Sequence, residues 1–279
     1  MKKKINWKRQ LWGNGITLAI VLLIIGGIWY RVNHQNDTWK QVTADKTVVI
    51  GLDDTYVPMG FRDKSGKLVG YDVDLARETF KRLGLKVKFQ PIDWSMNVTE
   101  LDTGHIDMIW NGFTITPQRA KQVAFSVPYH FDTQVLVTMT SNGIDQVDQM
   151  KGQTLGVQSG SSGFTEFTQY PKLLKNKMGQ SGSVVQYDTF DKALNDLQVG
   201  RVKAVLIDSD YARYFVAHEK NPADFKIVKT DFPKDQYGVG FRKGDATLRK
   251  EVNSELLKMK KDGTIDQISE KYFGTPNAQ

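Results

Sequence analysis

Two stretches of this sequence follow one pattern and decide the fold: Leu101-Asp-Thr-Gly104-His-Ile106-Asp-Met-Ile109 and Leu197-Gln-Val-Gly200-Arg-Val202-Lys-Ala-Val205. In each stretch a leucine precedes a glycine by three residues, and a run of strand-forming residues begins two residues after that glycine. Each stretch therefore predicts a helix that ends at the glycine and a strand that follows it. A pattern that occurs once in each half of a chain predicts two similar α/β lobes.

The sequence around these stretches predicts further alternating strands and helices. From Tyr71 to Gly84 the apolar residues fall on one helical face, with Asp72 placed to cap the helix and Gly84 placed to end it. A second helix is predicted over residues 190–199. Apolar or alternating runs predict strands over 47–52, 86–91, 106–110, 153–158, 184–187 and 202–207.

The composition agrees with two folding units and excludes several classes of protein. The chain has 279 residues and 40% of them are hydrophobic, whereas one domain usually has about 100–200 residues. The absence of cysteine excludes disulfides, cysteine–zinc sites and thiol nucleophiles. The histidines have no metal-ligand spacing, so we expect them on the surface and expect no metal or other cofactor. They are His34, His105, His130 and His218.

The net charge of +7 is concentrated at the N-terminus. Residues 1–30 contain five cations and no acid, so the rest of the chain carries a net charge of only +2. A nearly neutral body does not predict a face for nucleic acid.

The N-terminal residues predict a membrane anchor. Residues 11–30 hold no charge, and twenty helical residues span roughly 30 Å, the thickness of a bilayer core. The cations before this segment predict that residues 1–10 are cytoplasmic and that the body lies outside the cytoplasm. Residues 31–45 are then a polar tether. Cleavage as a signal peptide remains the alternative, although no Ala-x-Ala site follows the segment.

Candidate binding residues follow the predicted strands, because ligands of open α/β sheets bind beyond the carboxyl ends of the strands. They offer one fixed cation, several carboxylates and hydroxyls, two aromatic rings and the N–H groups of a helix start. They lie within residues 53–56, at Trp94, within 111–119, within 158–162 and within 208–210.

At these residues the chain resembles the family 3 solute-binding proteins of ABC importers for polar amino acids, the group that includes the glutamine-, histidine- and lysine/arginine/ornithine-binding proteins. The resemblance covers about residues 46–275. It rests on the order and spacing of motifs over the whole chain rather than on any single motif. These motifs are Gly70-Tyr-Asp-Val-Asp-Leu75, Thr114-Ile-Thr116 with Arg119, Phe125-Ser126-x-Pro128-Tyr129, Tyr237-Gly-Val-Gly240, and Gly263-Thr through Tyr272-Phe-Gly274.

The resemblance implies an α/β, two-lobed periplasmic-binding-protein (Venus flytrap) fold of type II, preceded by the N-terminal transmembrane helix. Lobe 1 would comprise residues 46–131 plus 237–279, and lobe 2 residues 134–232, with two hinge strands between them.

The resemblance also implies a role for each of nine residues. Arg119 matches a residue that binds the α-carboxylate of an amino acid, Ser162 one that donates a backbone N–H to it, and Asp208 one that receives the α-ammonium. Gly112 and Thr114 match positions that contact the same zwitterion. The residues that match positions around the ligand side chain are Asp53, Tyr56, Trp94 and Gln158.

The chemistry of these side chains agrees with that assignment. A guanidinium can hold a carboxylate through two parallel hydrogen bonds, and the N–H groups at a helix start add positive potential. The amino acid is left open: Asp53 favours a polar or cationic side chain, so glutamine, arginine, lysine, histidine and cystine all fit.

The resulting prediction is a membrane-anchored, extracellular binding protein, not an enzyme, whose body is monomeric and which delivers a free polar amino acid to ABC permease subunits. The alternatives are a ligand-sensing domain of a signalling complex and an enzyme similar to cyclohexadienyl dehydratases on the same scaffold.

Overall fold

The computed structural model describes residues 37–276. The predicted cytoplasmic and transmembrane segments, residues 1–10 and 11–30, lie outside the described residues. Within residues 37–276, none of the helices has the length and hydrophobicity needed to cross a bilayer.

Strands and helices alternate along the described chain. The strands are β1 Thr47–Leu52, β2 Thr55–Tyr56, β3 Gly60–Arg62, β4 Leu68–Val69, β5 Lys86–Pro91, β6 Met108–Ile109, β7 Ala124–Phe125, β8 His130–Met139, β9 Thr154–Gln158, β10 Ser183–Tyr187, β11 Ala204–Asp208, β12 Phe225–Tyr237 and β13 Gly240–Phe241. The α-helices are α1 Trp39–Asp45, α2 Tyr71–Arg82, α3 Asn97–Asp102, α4 Pro117–Ala120, α5 Ser162–Gln169, α6 Lys175–Met178, α7 Phe190–Gln198, α8 Ser209–His218, α9 Ala246–Lys261 and α10 Thr264–Phe273.

Two five-stranded sheets define two lobes. The sheet of lobe 1 has the order β5-β1-β6-β13-β7, with β1 parallel to both β5 and β6. The sheet of lobe 2 has the order β10-β9-β11-β8-β12, with β9 parallel to both β10 and β11. A small sheet of β2, β3 and β4 follows β1. The two-lobed α/β architecture predicted from the sequence is confirmed.

The lobes are joined by two long strands that pair with each other. β8 and β12 run antiparallel, from the pair His130 and Tyr237 to the pair Met139 and Phe225, with an irregularity between Lys229 and Lys234. The chain enters lobe 2 along β8 and returns along β12, so the hinge of the molecule is a two-stranded ribbon.

The repeated pattern forms the predicted helix and strand in both lobes. Gly104 and Gly200 end α3 and α7 with φ of +80° and +77°, a conformation that favours glycine. The strand predicted over 106–110 is shorter than expected, because the carbonyl of Ile106 accepts a hydrogen bond from Arg242 at 2.6 Å instead of joining the sheet.

The start of α2 corrects one prediction. Asp72 does not cap the helix, whose first turn follows Gly70 without a side-chain cap. The Asp72 carboxylate instead accepts the N–H of Gly112 at 2.6 Å, and burial raises its pKa to about 7. Gly70 is required here because a Cβ would lie 2.2 Å from the carbonyl oxygen of Met59.

Helix α10, near the C-terminus, contacts the start of α2. The hydroxyl of Tyr272 on α10 donates to Asp74 at 2.7 Å and accepts the N–H of Gly70 at 3.1 Å. The last described helix therefore fixes the start of α2 and the loop before it.

The tether predicted over residues 31–45 is corrected for its second half, since Trp39–Asp45 form α1. Asp245 accepts both the N–H and the hydroxyl of Thr38 at 2.9 Å, and Asp37 accepts the N–H of Thr247 at 2.7 Å. Val42 is buried against lobe 1. These hydrogen bonds fix a segment whose polar sequence alone predicts no structure.

The buried ion pair between Asp245 and Arg242 leads to a prediction about stability. Asp245 and Arg242 are both buried and 2.8 Å apart, so Asp245→Ala leaves the buried guanidinium with the longer 3.3 Å contact to Asp107 and removes the acceptor of both Thr38 hydrogen bonds. We expect the free energy of unfolding to fall by about 3–5 kcal/mol in urea denaturation. Asp148→Ala, which removes an exposed ion pair with Lys177, is the control and should change it little. An equal loss in both variants would contradict the prediction.

Candidate functional site

Polar residues of the two lobes meet directly in front of the hinge. The Gln158 side-chain amide donates to the Asp53 carboxylate at 2.9 Å, and the Thr114 hydroxyl donates to the Ser162 hydroxyl at 3.0 Å. Six of the nine candidates lie in lobe 1, and Gln158, Ser162 and Asp208 lie in lobe 2. The structure therefore brings residues from both halves of the chain to one interface.

Arg119 is a buried cation at this interface, with 9% of its surface exposed, rather than a surface helix residue. It lies on α4, which Thr116 caps by accepting the Arg119 N–H. The guanidinium donates to the carbonyl of Thr114 at 3.0 Å and, across the lobes, to that of Gly160 at 2.9 Å. It also lies 4.3 Å from the ring centre of Phe113.

The guanidinium remains charged at neutral pH and retains donors. Burial lowers its pKa to about 10, and the charges of Asp235 and Asp208 oppose that change. Two of the five N–H donors of an arginine are used by the two carbonyls, so three can bind an anion.

Asp208 provides the opposite charge from the end of β11. It is 4% exposed, and its Oδ1 accepts the side-chain amide of Gln134 and the hydroxyl of Tyr237, both at 2.8 Å. It makes no capping bond to α8, although it precedes that helix. Burial and then the charge of Asp132 raise its pKa to about 6, so it is ionised at neutral pH.

The start of α5 faces Arg119. Ser161 caps this helix by accepting the N–H of Phe164, and Gly160 turns the chain with a φ of +74°. A Cβ at Gly160 would lie 3.0 Å from the Cα of Ser95 in lobe 1. The backbones of the two lobes approach each other closely here, and the first N–H groups of α5 add positive potential to the site.

The buried carboxylate of Asp53 lies at one edge of the site. Asp53 accepts Gln158 with one oxygen and Thr55 with the other, and burial raises its pKa. The Gln158 amide also donates to the carbonyl of Asp188 at 3.0 Å. Asp53 is thus both a turn residue, as its bond to Thr55 shows, and a bridge between the lobes.

Aromatic rings form the walls. Trp94 packs edge-on against Phe113 at 5.8 Å between ring centres, and it is part of the core of lobe 1. Tyr56 of lobe 1 packs against Phe190 and Tyr211 of lobe 2, at 6.0 and 5.4 Å. Tyr56 also explains the glycine at position 112, since a Cβ there would lie 2.8 Å from its ring.

Sequence reasoning missed the polar face of the hinge strands and misplaced one histidine. His130 is buried, not exposed, and its Nε2 lies 2.6 Å from the Asp210 carboxylate. His130, Asp132 and Gln134 occupy alternate positions of β8, and Asp235 and Tyr237 do so on β12. Polar residues at every second position of a strand predict a shared polar face, and that pattern could have identified them.

The residues that the structure describes contain no cluster of three or more histidine or acidic side chains placed to hold a metal ion. The chemistry at the interface is that of one buried guanidinium, several carboxylates, hydroxyls and backbone N–H groups. Such a set offers both a cation and carboxylates, the partners that a small zwitterion requires.

Comparison with known proteins finds similar chains. The chain is similar to the L-cystine-binding protein TcyJ of Escherichia coli K12, with 35% identity over 92% of this chain and 93% of that protein. It is 32% identical to the lysine/arginine/ornithine-binding periplasmic protein of the same strain, over 82% and 88% of the two chains.

A solved structure is also similar throughout. The substrate-binding protein of an ABC uptake transporter from Streptococcus pneumoniae, solved with bound histidine, has 41% identity and a TM-score of 0.84, over 88% of this chain and 99% of that one. These relatives are named as binding proteins and not as enzymes. Residues 48–275 match the model of the bacterial extracellular solute-binding proteins, family 3, and the chain belongs to that family.

Proposed function

We propose that the protein is the membrane-anchored substrate-binding component of an ABC importer, which closes on a free polar amino acid outside the cytoplasm and delivers it to the permease. One observation carries this proposal: a buried cation of lobe 1, Arg119, and a buried carboxylate of lobe 2, Asp208, face one site within reach of each other's charge. An amino-acid zwitterion, whose carboxylate and ammonium groups are attached to the same carbon, matches that pair.

The head group of the ligand engages both lobes in this proposal. The α-carboxylate takes the free N–H groups of Arg119 together with the backbone N–H of Ser162 and the hydroxyl of Thr114, and Gly112 borders the zwitterion. The α-ammonium takes Asp208. Contacts to both lobes stabilise the closed arrangement relative to an open one, so ligand binding shifts the population toward closure.

The ligand side chain lies between Tyr56 and Trp94 and ends near Asp53 and Gln158. The buried carboxylate of Asp53 supports a side chain with a cation or with several hydrogen-bond donors. Relatives named for cystine and for lysine, arginine and ornithine, and a relative solved with bound histidine, agree with that class. The amino acids to test first are therefore cystine, arginine, lysine, ornithine, histidine and glutamine.

The location completes the proposal. Residues 11–30 cross the membrane with residues 1–10 in the cytoplasm, and the body acts as a monomer outside. Because Asp37 and Thr38 are fixed to lobe 1, only residues 31–36 connect the two parts, and six extended residues reach at most about 20 Å. Lobe 1 is thereby held near the membrane and near a permease.

A ligand screen tests the proposed function. Melting temperatures of the purified protein are measured with each of the twenty amino acids, cystine and ornithine. A ligand at 100 times its dissociation constant adds about 2.7 kcal/mol to the stability, which raises the melting temperature visibly. A selective increase supports the proposal. No increase with any of them, in folded protein freed of carried-over ligand, would contradict it.

Arg119→Lys should weaken amino-acid binding. Lysine keeps the charge but cannot make two parallel hydrogen bonds to a carboxylate. Loss of one charge-assisted hydrogen bond, about 1.5–3 kcal/mol, corresponds to a roughly 10- to 150-fold increase in the dissociation constant, measured by calorimetry. Arg201→Lys is the matched control, because that arginine is 73% exposed and pairs with Asp196 away from the site. Unchanged affinity in Arg119→Lys would refute the assignment.

Gly160→Ala should hinder closure. Its Cβ would press on the backbone of Ser95 and Trp94 in lobe 1, so we expect a loss of affinity of about tenfold or more, equivalent to at least about 1.4 kcal/mol. Gly143→Ala separates this effect from backbone strain, because Gly143 also has a positive φ, but a Cβ at that position would have no neighbouring atom within 4 Å. Equal affinities in the two variants would show that the close approach plays no part in binding.

A further inference from the structure

Four buried carboxyl groups meet behind the site proposed for the ammonium group. They come from four elements: Asp132 from β8, Asp208 from β11, Asp235 from β12 and Glu166 from α5. All are nearly excluded from solvent. A buried charge without a partner is costly, so the arrangement depends on where the available hydrogens lie.

The neutral donors in this cluster are already shared among the three aspartates. The Gln134 amide donates one hydrogen to Asp208 at 2.8 Å and faces Asp235 at 3.2 Å with the same nitrogen. The single hydroxyl hydrogen of Tyr237 lies between Asp208 at 2.8 Å and Asp132 at 3.0 Å. No hydrogen of Gln134 or Tyr237 is left for Glu166.

Asp132 does not need a hydrogen from Gln134 or Tyr237, because other groups donate hydrogen bonds to it. Its carboxylate accepts the N–H of Thr133 at 2.7 Å, the N–H of Asp210 at 3.2 Å and the hydroxyl of Ser209. The shortage of hydrogens therefore falls on the remaining pair, Asp235 and Glu166.

The carboxyl groups of Glu166 and Asp235 are in hydrogen-bond contact. Glu166 is only 6% exposed, and its Oε2 has no donor among the described residues. Two ionised carboxylates in contact repel each other, whereas one shared proton turns the contact into a hydrogen bond. Burial, and then the charge of Asp235, raise the pKa of Glu166 to about 9, while burial raises that of Asp235 to about 6. Asp235 already accepts the amide of Gln134, whereas the buried Oε2 of Glu166 has no hydrogen-bond partner among the described residues, so the shared proton is placed on Glu166.

The charged groups around the pair agree with this placement. Glu166 faces Asp235 and Asp208, which favour its neutral form, and Arg119, which opposes it. Asp208 faces Asp132 and the hydroxyls of Tyr56 and Tyr237. Beyond Asp132 the network ends at Asp210, which is held by His130 and Arg213.

We propose that Glu166 is a neutral carboxylic acid that donates a hydrogen bond to Asp235, and that this pair, through the amide of Gln134, positions the carboxylate of Asp208 for the ligand's ammonium group. The last step rests on the proposed function of the protein. Glu166 does not touch the ligand. It holds Asp235 and Gln134 in the orientation in which the amide donates to Oδ1 of an ionised Asp208.

The first test needs no ligand. The unfolded chain releases the Glu166 proton near the ordinary pKa of 4.5, whereas the folded protein keeps it until about pH 9. Rising pH across this window therefore favours the unfolded chain, and Glu166→Gln removes that penalty. We expect the unfolding equilibrium constant of the wild type, divided by that of Glu166→Gln, to increase by about tenfold per pH unit between pH 5 and 9. Above pH 9 this ratio should level off.

The matched control is Glu255→Gln. Glu255 is also buried, but the ammonium of Lys258 lies 2.6 Å from its carboxylate. The difference in stability between Glu255→Gln and the wild type should not widen with pH. A pH-independent difference between Glu166→Gln and the wild type would overturn the assignment of the proton to Glu166.

The second test measures positioning. Glu166→Ala removes the donor to Asp235, so we expect the affinity for the amino acid found in the screen to fall by about tenfold at pH 7.5. Glu166→Gln supplies an amide N–H in place of the acid proton and should recover most of that loss. Equal losses in the two variants would overturn the positioning role.

The two tests separate this inference from the proposed function. If the wild type binds an amino acid but the stability difference does not widen with pH, the neutral Glu166 is refuted and the proposed function stands. If the difference widens but the wild type binds no amino acid, the neutral Glu166 stands and both the proposed function and the positioning role fail.

Discussion

The structure depends on the antiparallel pairing of β8 with β12. These two strands belong to the sheet of lobe 2, and they are the path by which the described chain passes between the lobes. Because both strands are held by the same ladder of hydrogen bonds, a change in the angle between the lobes must bend them together, and the irregularity between Lys229 and Lys234 interrupts the ladder on the side of lobe 2. The candidate binding residues lie directly in front of this ribbon, so the geometry of the candidate site and the angle of the hinge change together.

The polar face of the same ribbon sets the charge of the site. Burying several carboxyl groups around one guanidinium costs stability, and the raised pKa values of Asp208, Asp132 and Asp235 reflect that cost. The hydrogen bonds from Gln134 and Tyr237 offset part of it. In the proposed function, the excess of acid over base that is unfavourable for folding also attracts the ligand's ammonium group, which supplies positive charge. Stability and binding therefore make opposite demands on the same side chains.

Local patterns predicted the elements of the fold but not the network between them. The runs at 47–52 and 86–91 form strands with the predicted bounds, since apolar alternation directly reflects burial within one element. The buried state of His130 depends on Asp210, which is 80 residues away in the sequence. Asp72 does not cap α2 but accepts the N–H of Gly112, which is 40 residues away. Helix α1 is held in place by the hydrogen bond that Thr38, directly before it, donates to Asp245, about 200 residues later in the chain. A local pattern can mark a residue as part of a polar face, as on β8, but it does not identify a partner that lies far away in the chain.

The binding of an amino-acid head group by Arg119 and Asp208 can be observed in a crystal structure of the protein with the amino acid that the ligand screen identifies. We expect the α-carboxylate within hydrogen-bond distance of the Arg119 guanidinium and the N–H of Ser162, and the α-ammonium on Asp208. A ligand with its head group reversed, or seated away from these two side chains, would refute the roles assigned to them.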